Sequence, residues 1–169
     1  AHHRNGFHMQ ATGRLNVVDQ ELQDLDWRLS GQMPPGLLPK AVDPGAFEAV
    51  GTASGALDRI RHTGRLTAAQ VRVTGLKPLT LETTWRGQIN RLDELRLDLA
   101  SGRSRLTLES TVTFNPTLDE VAATVSSLEW TREEIPQLTL VQPVDGRLDR
   151  RVAGGSDPLA SISLSRLAV

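Results

Sequence analysis

Apolar and polar residues alternate with period two along most of this sequence, the pattern of strands with one dry and one wet face. The clearest stretch is "LDELRLDLASGRSRLTLESTVTF", residues 92–114. Leu95, Leu97 and Leu99 share one phase, and Leu106, Leu108, Val112 and Phe114 answer them from a second arm. Gly102-Arg103 between the arms predicts a two-residue II′ turn, in which glycine supplies the positive φ of the first position. With Ser101 facing Ser104, Leu99 stands opposite Leu106, Leu97 opposite Leu108, and Arg96 opposite Glu109. Apolar then meets apolar and plus meets minus, which fixes the register. The other phase holds Arg96, Asp98, Arg105, Thr107, Glu109, Thr111 and Thr113 and is predicted to face water.

The alternation recurs on both sides of this hairpin. Residues 11–18 set Leu15 and Val17 against Arg14 and Asn16, and residues 22–31 set Leu25, Trp27 and Leu29 against Asp24, Asp26, Arg28 and Ser30. Val71 and Val73 follow in "QVRVTG", then Leu79, Leu81, Thr83 and Trp85 in "LTLETTWRG". Val121, Ala123 and Val125 share a face in 118–130, and Ile162 and Leu164 do so in "ASISLSRLAV". No segment holds a 3.6-residue period over three turns. Two short departures stand out. "TREEIP" (131–136) offers a capping-box relation between Thr131 and Glu134, so a brief helical turn ended by Pro136 is expected. "PPGLLPKAVDPGAF" (34–47) has four prolines and predicts a loop with at most one helical turn. The small residues of "VGTASGA" (50–56) mark a close backbone approach or a bend within a strand. The chain is predicted to be all-β.

A shift of 91 residues aligns "GALDRIRHTGRLTAAQVRVTGL" from Gly55 with "GRLDRRVAGGSDPLASISLSRL" from Gly146 without a gap. It superposes Leu57-Asp58-Arg59 on Leu148-Asp149-Arg150 and Val71 and Val73 on Ile162 and Leu164. A repeated unit, 55–76 echoed by 146–167, is therefore expected, as in extended architectures whose units stack. The strand-like pattern runs to the last residue and suggests a piece of a longer chain. Residues 1–10, with three histidines and no period, are expected to be a disordered or appended tail.

Composition narrows the chemistry. The formal net charge is −1, with 19 basic and 20 acidic residues interspersed, so no nucleic-acid stripe is present. With no cysteine, disulfides and thiolate metal sites are excluded. The acidic pairs Asp93-Glu94, Asp119-Glu120 and Glu133-Glu134 do not converge, because neighbours on a strand point to opposite faces. His62 has no second metal-ligating or base-orienting partner nearby in sequence. Nothing here forms a catalytic constellation, and neither a metal nor a cofactor is expected.

What remains is the apolar face. The chain has 25 leucines against three Trp, three Phe and no Tyr, which is an aliphatic lining and not an aromatic binding surface. Each Leu or Val fully buried is worth about 1.5–3 kcal/mol relative to exposure, so some fifteen of them demand a cover. Either the sheet folds over itself as a closed β-sandwich, or an apolar ligand fills an open trough.

The stretch "VGTASGALDRIRHTGRLTAAQVRVTGLKPLTLETTWRGQINRLDELRLDLASGRSRLTLESTVTFNP" (50–116) resembles the periplasmic segments of TamB and its AsmA-like relatives. The likeness lies in the cadence G-x-L, G-R-L, V-x-V-x-G-L, and it extends over residues 11–169. The resemblance implies an elongated antiparallel sheet curled lengthwise into a half-pipe with an aliphatic interior and no catalytic residues. It implies a location in the periplasm, in a protein anchored to the inner membrane by a segment not in this sequence. The cargo it implies is phospholipid or fatty acyl chains moving between inner and outer membranes. An outer-membrane barrel partner would be met through other parts of the chain. The rival reading is a non-catalytic closed β-sandwich or structural repeat of a cell-envelope or surface protein. A solenoid-type polysaccharide enzyme is disfavoured, because the carboxylate cluster and aromatic platform it requires are missing.

Overall fold

A computed structural model of the chain describes residues 7–32, 42–43, 45–73, 77–117, 120–150 and 160–165, with the side chains of 42–43, 148–150 and 160–165 excepted. The strands are β1 (Phe7–Asn16), β2 (Glu21–Gln32), β3 (Val42–Asp43), β4 (Ala46–Ala56), β5 (Arg61–Val73) and β6 (Leu79–Gln88). They continue with β7 (Arg91–Ser101), β8 (Ser104–Phe114), β9 (Glu120–Arg132), β10 (Ile135–Thr139), β11 (Val144–Arg150) and β12 (Ala160–Ser165). Ten of them form one antiparallel path, β1-β2-β4-β5-β6-β7-β8-β9-β11-β12, while β3 pairs β5 and β10 pairs β9. The path is a curled sheet that does not close. No helix occurs among the described residues.

The central hairpin has the register that its side chains dictate. Ser101 faces Ser104, Leu99 faces Leu106, Leu97 faces Leu108 and Arg96 faces Glu109. Gly102 takes φ +58° and Arg103 keeps a negative φ, as a II′ turn requires.

Bulges on β2, β5, β7 and β9 interrupt otherwise regular ladders. Each shifts the apolar phase by one residue, so that Leu22 and Leu25, Ala68 and Val71, Leu92 and Leu95, and Val125 and Leu128 stay on the same side. An extra residue also bends its strand and raises the local twist, and repeating it on every second strand of the path favours a curl. Asp24 and Gln70 hold the left-handed conformations that two of these bulges need, at φ +48° and +59°.

Several expectations are corrected. "TREEIP" is not helical: Thr131 and Arg132 end β9, Ile135 and Pro136 begin β10, and Glu133-Glu134 is the hairpin turn between them. Both glutamates have positive φ, +53° and +67°, the type I′ combination. Pro136 is tolerated because β10 is a short edge strand whose outer side needs no ladder bond. Residues 7–10 belong to β1, where Phe7 and Met9 continue the apolar phase opposite Gly31 and Leu29; the interleaved histidine hides that phase. Val17 is not on the apolar face. The Asn16 side-chain carbonyl accepts bonds from the Val18 and Asp19 amides, which turns the chain there and leaves Val17 76% exposed.

In the 91-residue echo, Leu57-Asp58-Arg59 lies in the β4–β5 turn whereas Leu148-Asp149-Arg150 lies in β11. Residues 151–159 and 166–169 of the echo are outside the described residues, as are 33–41 and 44 of the proline-rich loop. Within that loop Val42–Asp43 form β3, and Ala46 and Phe47 open β4.

The paired glutamates give one test of the fold. Glycine adopts φ > 0 without the penalty a Cβ incurs. Glu134→Gly is expected to raise stability in urea denaturation by about 0.5–1 kcal/mol, and an unchanged or lowered midpoint would reject the I′ turn.

Candidate functional site: an open apolar face

The pairing register carries apolar side chains across the sheet in continuous rungs. One rung runs Met9, Leu29, Ala49, Leu66, Thr83, Leu97, Leu108, Leu128, each opposite the next. A second runs Phe7, Gly31, Phe47, Ala68, Leu81, Leu99, Leu106, Trp130. A third runs Ala11, Trp27, Gly51, Gly64, Trp85, Leu95, Ser110, Val125, Val144. Leu15, Leu25, Val71, Leu79, Val112 and Val121 fall on this same side, beyond the ends of those rungs, and so do Val73 and Phe114. The few polar members are neutralised locally. Thr83 donates to the Arg96 carbonyl at 2.9 Å, and His62 Nε2 donates to the Gln88 carbonyl at 3.0 Å.

Nothing among the described residues forms a second layer over this face. Among the described residues the buried apolar ones are Phe47, Ala49, Ala68, Val71, Val112 and Val144, and none of the large side chains described is fully buried. Phe47, Ala68 and Val71 form a small cluster with Leu29, Leu66, Val73, Leu79 and Leu81 packed against it. A closed sandwich of this length would hold many wholly dry side chains. Here most leucines of the face are half-buried, sheltered by their neighbours in the rung and open above.

Two indoles lie down on the face. Trp27 and Trp85 stand three strand spacings apart, about 14 Å between backbones. Their ring centroids nevertheless approach to 6.1 Å with 27° between planes. Gly51 and Gly64, directly opposite each other, make this possible. A Cβ on Gly64 would fall 2.2 Å from Trp85 Cζ2, and one on Gly51 would fall 2.5 Å from Trp27 Cζ2. The glycines thus vacate the space in which the indoles recline. Phe7 and Phe47, on either side of Gly31 in their rung, meet edge to face at 5.8 Å. Bulky rings therefore add apolar area without standing up into the trough.

The opposite face is ionic. Arg28, Arg65 and Arg96 occupy one rung, and Glu48, Glu82 and Asp98 the next. Diagonal pairs join them: Arg28–Glu48 at 2.6 Å, Arg65–Glu82 at 3.0 Å and Arg96–Asp98 at 2.9 Å. Exposed pairs of this kind contribute little each, but they leave no unpaired acid in the stripe. Partial burial pushes the Asp98 carboxyl up, but hydrogen bonds from Arg96 and Thr107 outweigh it and hold the group below its ordinary value. A shallow depression of about 760 Å³ lies on this side, walled by Ser30, Glu48, Thr67, Glu82, Asp98 and Arg105. Its acids are already engaged by the arginines above. Of the acidic neighbours named from sequence, Asp93 pairs with Arg91, Glu94 with Arg86, Glu120 with Arg147 and Glu133 with Arg103, while Asp119 lies outside the described residues. No group of three or more His, Asp or Glu suited to a metal occurs among the described residues.

Sequence reasoning missed Leu22, Phe47, Leu66, Leu92, Leu128 and Trp130, all on the apolar side. The available signal was the spacing apolar-x-x-apolar in Leu22/Leu25, Leu92/Leu95 and Val125/Leu128. In a period-two strand that spacing means a bulge and not a change of face. Comparison with protein-family models, with curated proteins and with solved structures found no match.

Proposed function

We propose that this chain is part of a hydrophobic trough that carries phospholipid acyl chains between the inner and outer membranes of a bacterial envelope. The observation that carries the proposal is the apolar face, continuous over the described strands from β1 to β9 and without a second layer above it. An aliphatic lining suits acyl chains, because it offers contact without directional bonds that would hold one lipid in place. Reclining indoles keep that lining smooth. The ionic outer face keeps the sheet in water. The cadence shared with TamB and AsmA-like proteins points the same way, to a non-catalytic protein of the periplasm tethered at the inner membrane. Ten strands at about 4.8 Å each span roughly 50 Å, so one such sheet would supply part of a longer path.

The test is the cargo. Protein purified from a bacterial host and extracted under denaturing conditions is expected to release phospholipid or fatty acid detectable by mass spectrometry. The delipidated protein is expected to take up added lipid again. Protein that carries none and binds none would overturn the proposal in favour of a structural β-module.

A further inference from the structure

On the reading of this face as a lipid trough, we infer that the rung of Trp27, Trp85 and Ser110 is a hydrogen-bonding band for the ester carbonyls of a diacyl glycerolipid, and that it sets the direction in which the lipid lies. The three residues stand on one rung with Leu95, and Gly51 and Gly64 lie between the indoles. Ser110 is the buried polar residue among those described, only 6% exposed. Neither its Oγ nor either indole N–H has a hydrogen-bond partner among the described residues. No enclosed polar atom there lacks a partner, so all three groups open onto the trough. A lipid that displaces water from them must bring acceptors, because an indole N–H can only donate and an orphaned donor in an apolar site is costly. Thr83 and His62 make no such demand, being bonded to the Arg96 and Gln88 carbonyls.

A glycerolipid carries such acceptors at the boundary between its acyl chains and its headgroup, the level at which tryptophan gathers in membranes. The band is placed off-centre, as that boundary requires. Trp85 is three residues from the end of β6 at Gln88 and six from its start at Leu79. Gly64 is three residues from the start of β5 at Arg61 and nine from its end at Val73. On the long side the face is apolar through Leu66, Ala68 and Val71. That run covers about 20 Å of strand, against about 15 Å of hydrocarbon in one bilayer leaflet. On the short side come His62 and then the exposed turns at Asp58-Arg59 and Ile89-Asn90. The acyl chains therefore lie along the strands toward Val71 and Leu79, and the headgroup leaves over the turns.

The test compares two lipids on delipidated protein: a diacyl phosphatidylcholine, and the dialkyl ether with the same headgroup and chain length, which lacks both carbonyls. The ester lipid is expected to bind about tenfold more tightly. Ser110→Ala is expected to narrow that preference several-fold while leaving the urea midpoint unchanged, since it breaks no bond within the protein. Trp85→Phe keeps an aromatic ring over Gly64 and loses the N–H, and it is expected to narrow the preference likewise. Direction is read from fluorescence. The chain has three tryptophans, so in the Trp130→Phe protein only the paired indoles emit. A nitroxide on the acyl carbons beside the ester is expected to quench them more strongly than one at the chain end. Equal affinity for ester and ether, a preference untouched by both substitutions, or stronger quenching from the chain end would overturn the band and leave the trough standing. Binding of neither lipid would overturn the trough, and the band with it.

Discussion

Gly64→Ala is expected to destabilise the sheet by about 2–3 kcal/mol when Trp85 is present, and to be neutral or mildly stabilising when Trp85 is replaced by alanine. The three nearest atoms to a Cβ at this position all belong to the Trp85 ring, at 2.2, 2.5 and 2.7 Å. A rigid indole stacked on Trp27 cannot yield a little; it must lift away from the sheet. Trp85→Ala alone removes the ring and its contacts, at a cost below the 3–5 kcal/mol typical of a fully buried tryptophan because this residue is only partly buried. With the ring gone, a methyl group at position 64 has room, and alanine is preferred to glycine within a strand. The sign of the Gly64 substitution therefore reverses between backgrounds. Gly51 supplies the control. A Cβ there would lie 2.4 Å from the Thr63 carbonyl oxygen as well as 2.5 Å from Trp27, so Trp27→Ala should not rescue Gly51→Ala. The four single and two double variants, unfolded in urea, decide it. Equal penalties for Gly64→Ala in both backgrounds would mean that the ring does not recline over the glycine.

How far the fold was legible depends on where its determinants sit. The β7–β8 hairpin could be derived residue by residue, because its turn, its register and its alternation lie within 23 consecutive positions and agree. The face of β6 and the parts of β2, β5 and β9 on one side of their bulges followed from phase; the residues across each bulge did not. The misassignments have different causes: Val17 was settled by a local turn at Asn16, the others by the strand each segment pairs with. Glu133-Glu134 looks like the start of a helix until Leu138 is set against Trp130, and the turn docks where the Glu133 amide donates to the Arg103 carbonyl at 2.8 Å. Phe7 looks like part of a featureless tail until Gly31 and Phe47 are set beside it. The Trp27–Gly51–Gly64–Trp85 rung joins four strands far apart in sequence, and no local window contains it. Openness was illegible for a different reason. Period-two alternation requires one dry face but does not say whether protein or ligand keeps it dry, so sandwich and trough share a sequence pattern.

Openness is also what a charge in the lining would report. Leu97→Asp puts a carboxylate in the middle rung, between Thr83 and Leu108 and between Leu95 and Leu99 along its own strand. In a sealed core an unpaired ion costs several kcal/mol and most such proteins fail to fold. Above an uncovered sheet the same carboxylate reaches water, and the loss is confined to leucine packing, about 1–3 kcal/mol. The variant is therefore expected to fold, with a lowered midpoint and an unchanged far-UV spectrum. Acyl chains lying over position 97 displace that water and meet the bare charge, so lipid recovered with the protein is expected to fall several-fold. Arg96→Asp, one residue away on the ionic face, is the matched control. It loses the pairs to Asp98 at 2.9 Å and Glu109 at 3.2 Å, but it should leave lipid content unaltered. A photocrosslinking side chain at position 97 is expected to capture phospholipid in cells, and one at position 96 is not. A Leu97→Asp protein that unfolds outright would argue for a closed core. One that folds and keeps its full lipid content, or equal labelling at both positions, would separate the apolar face from lipid carriage.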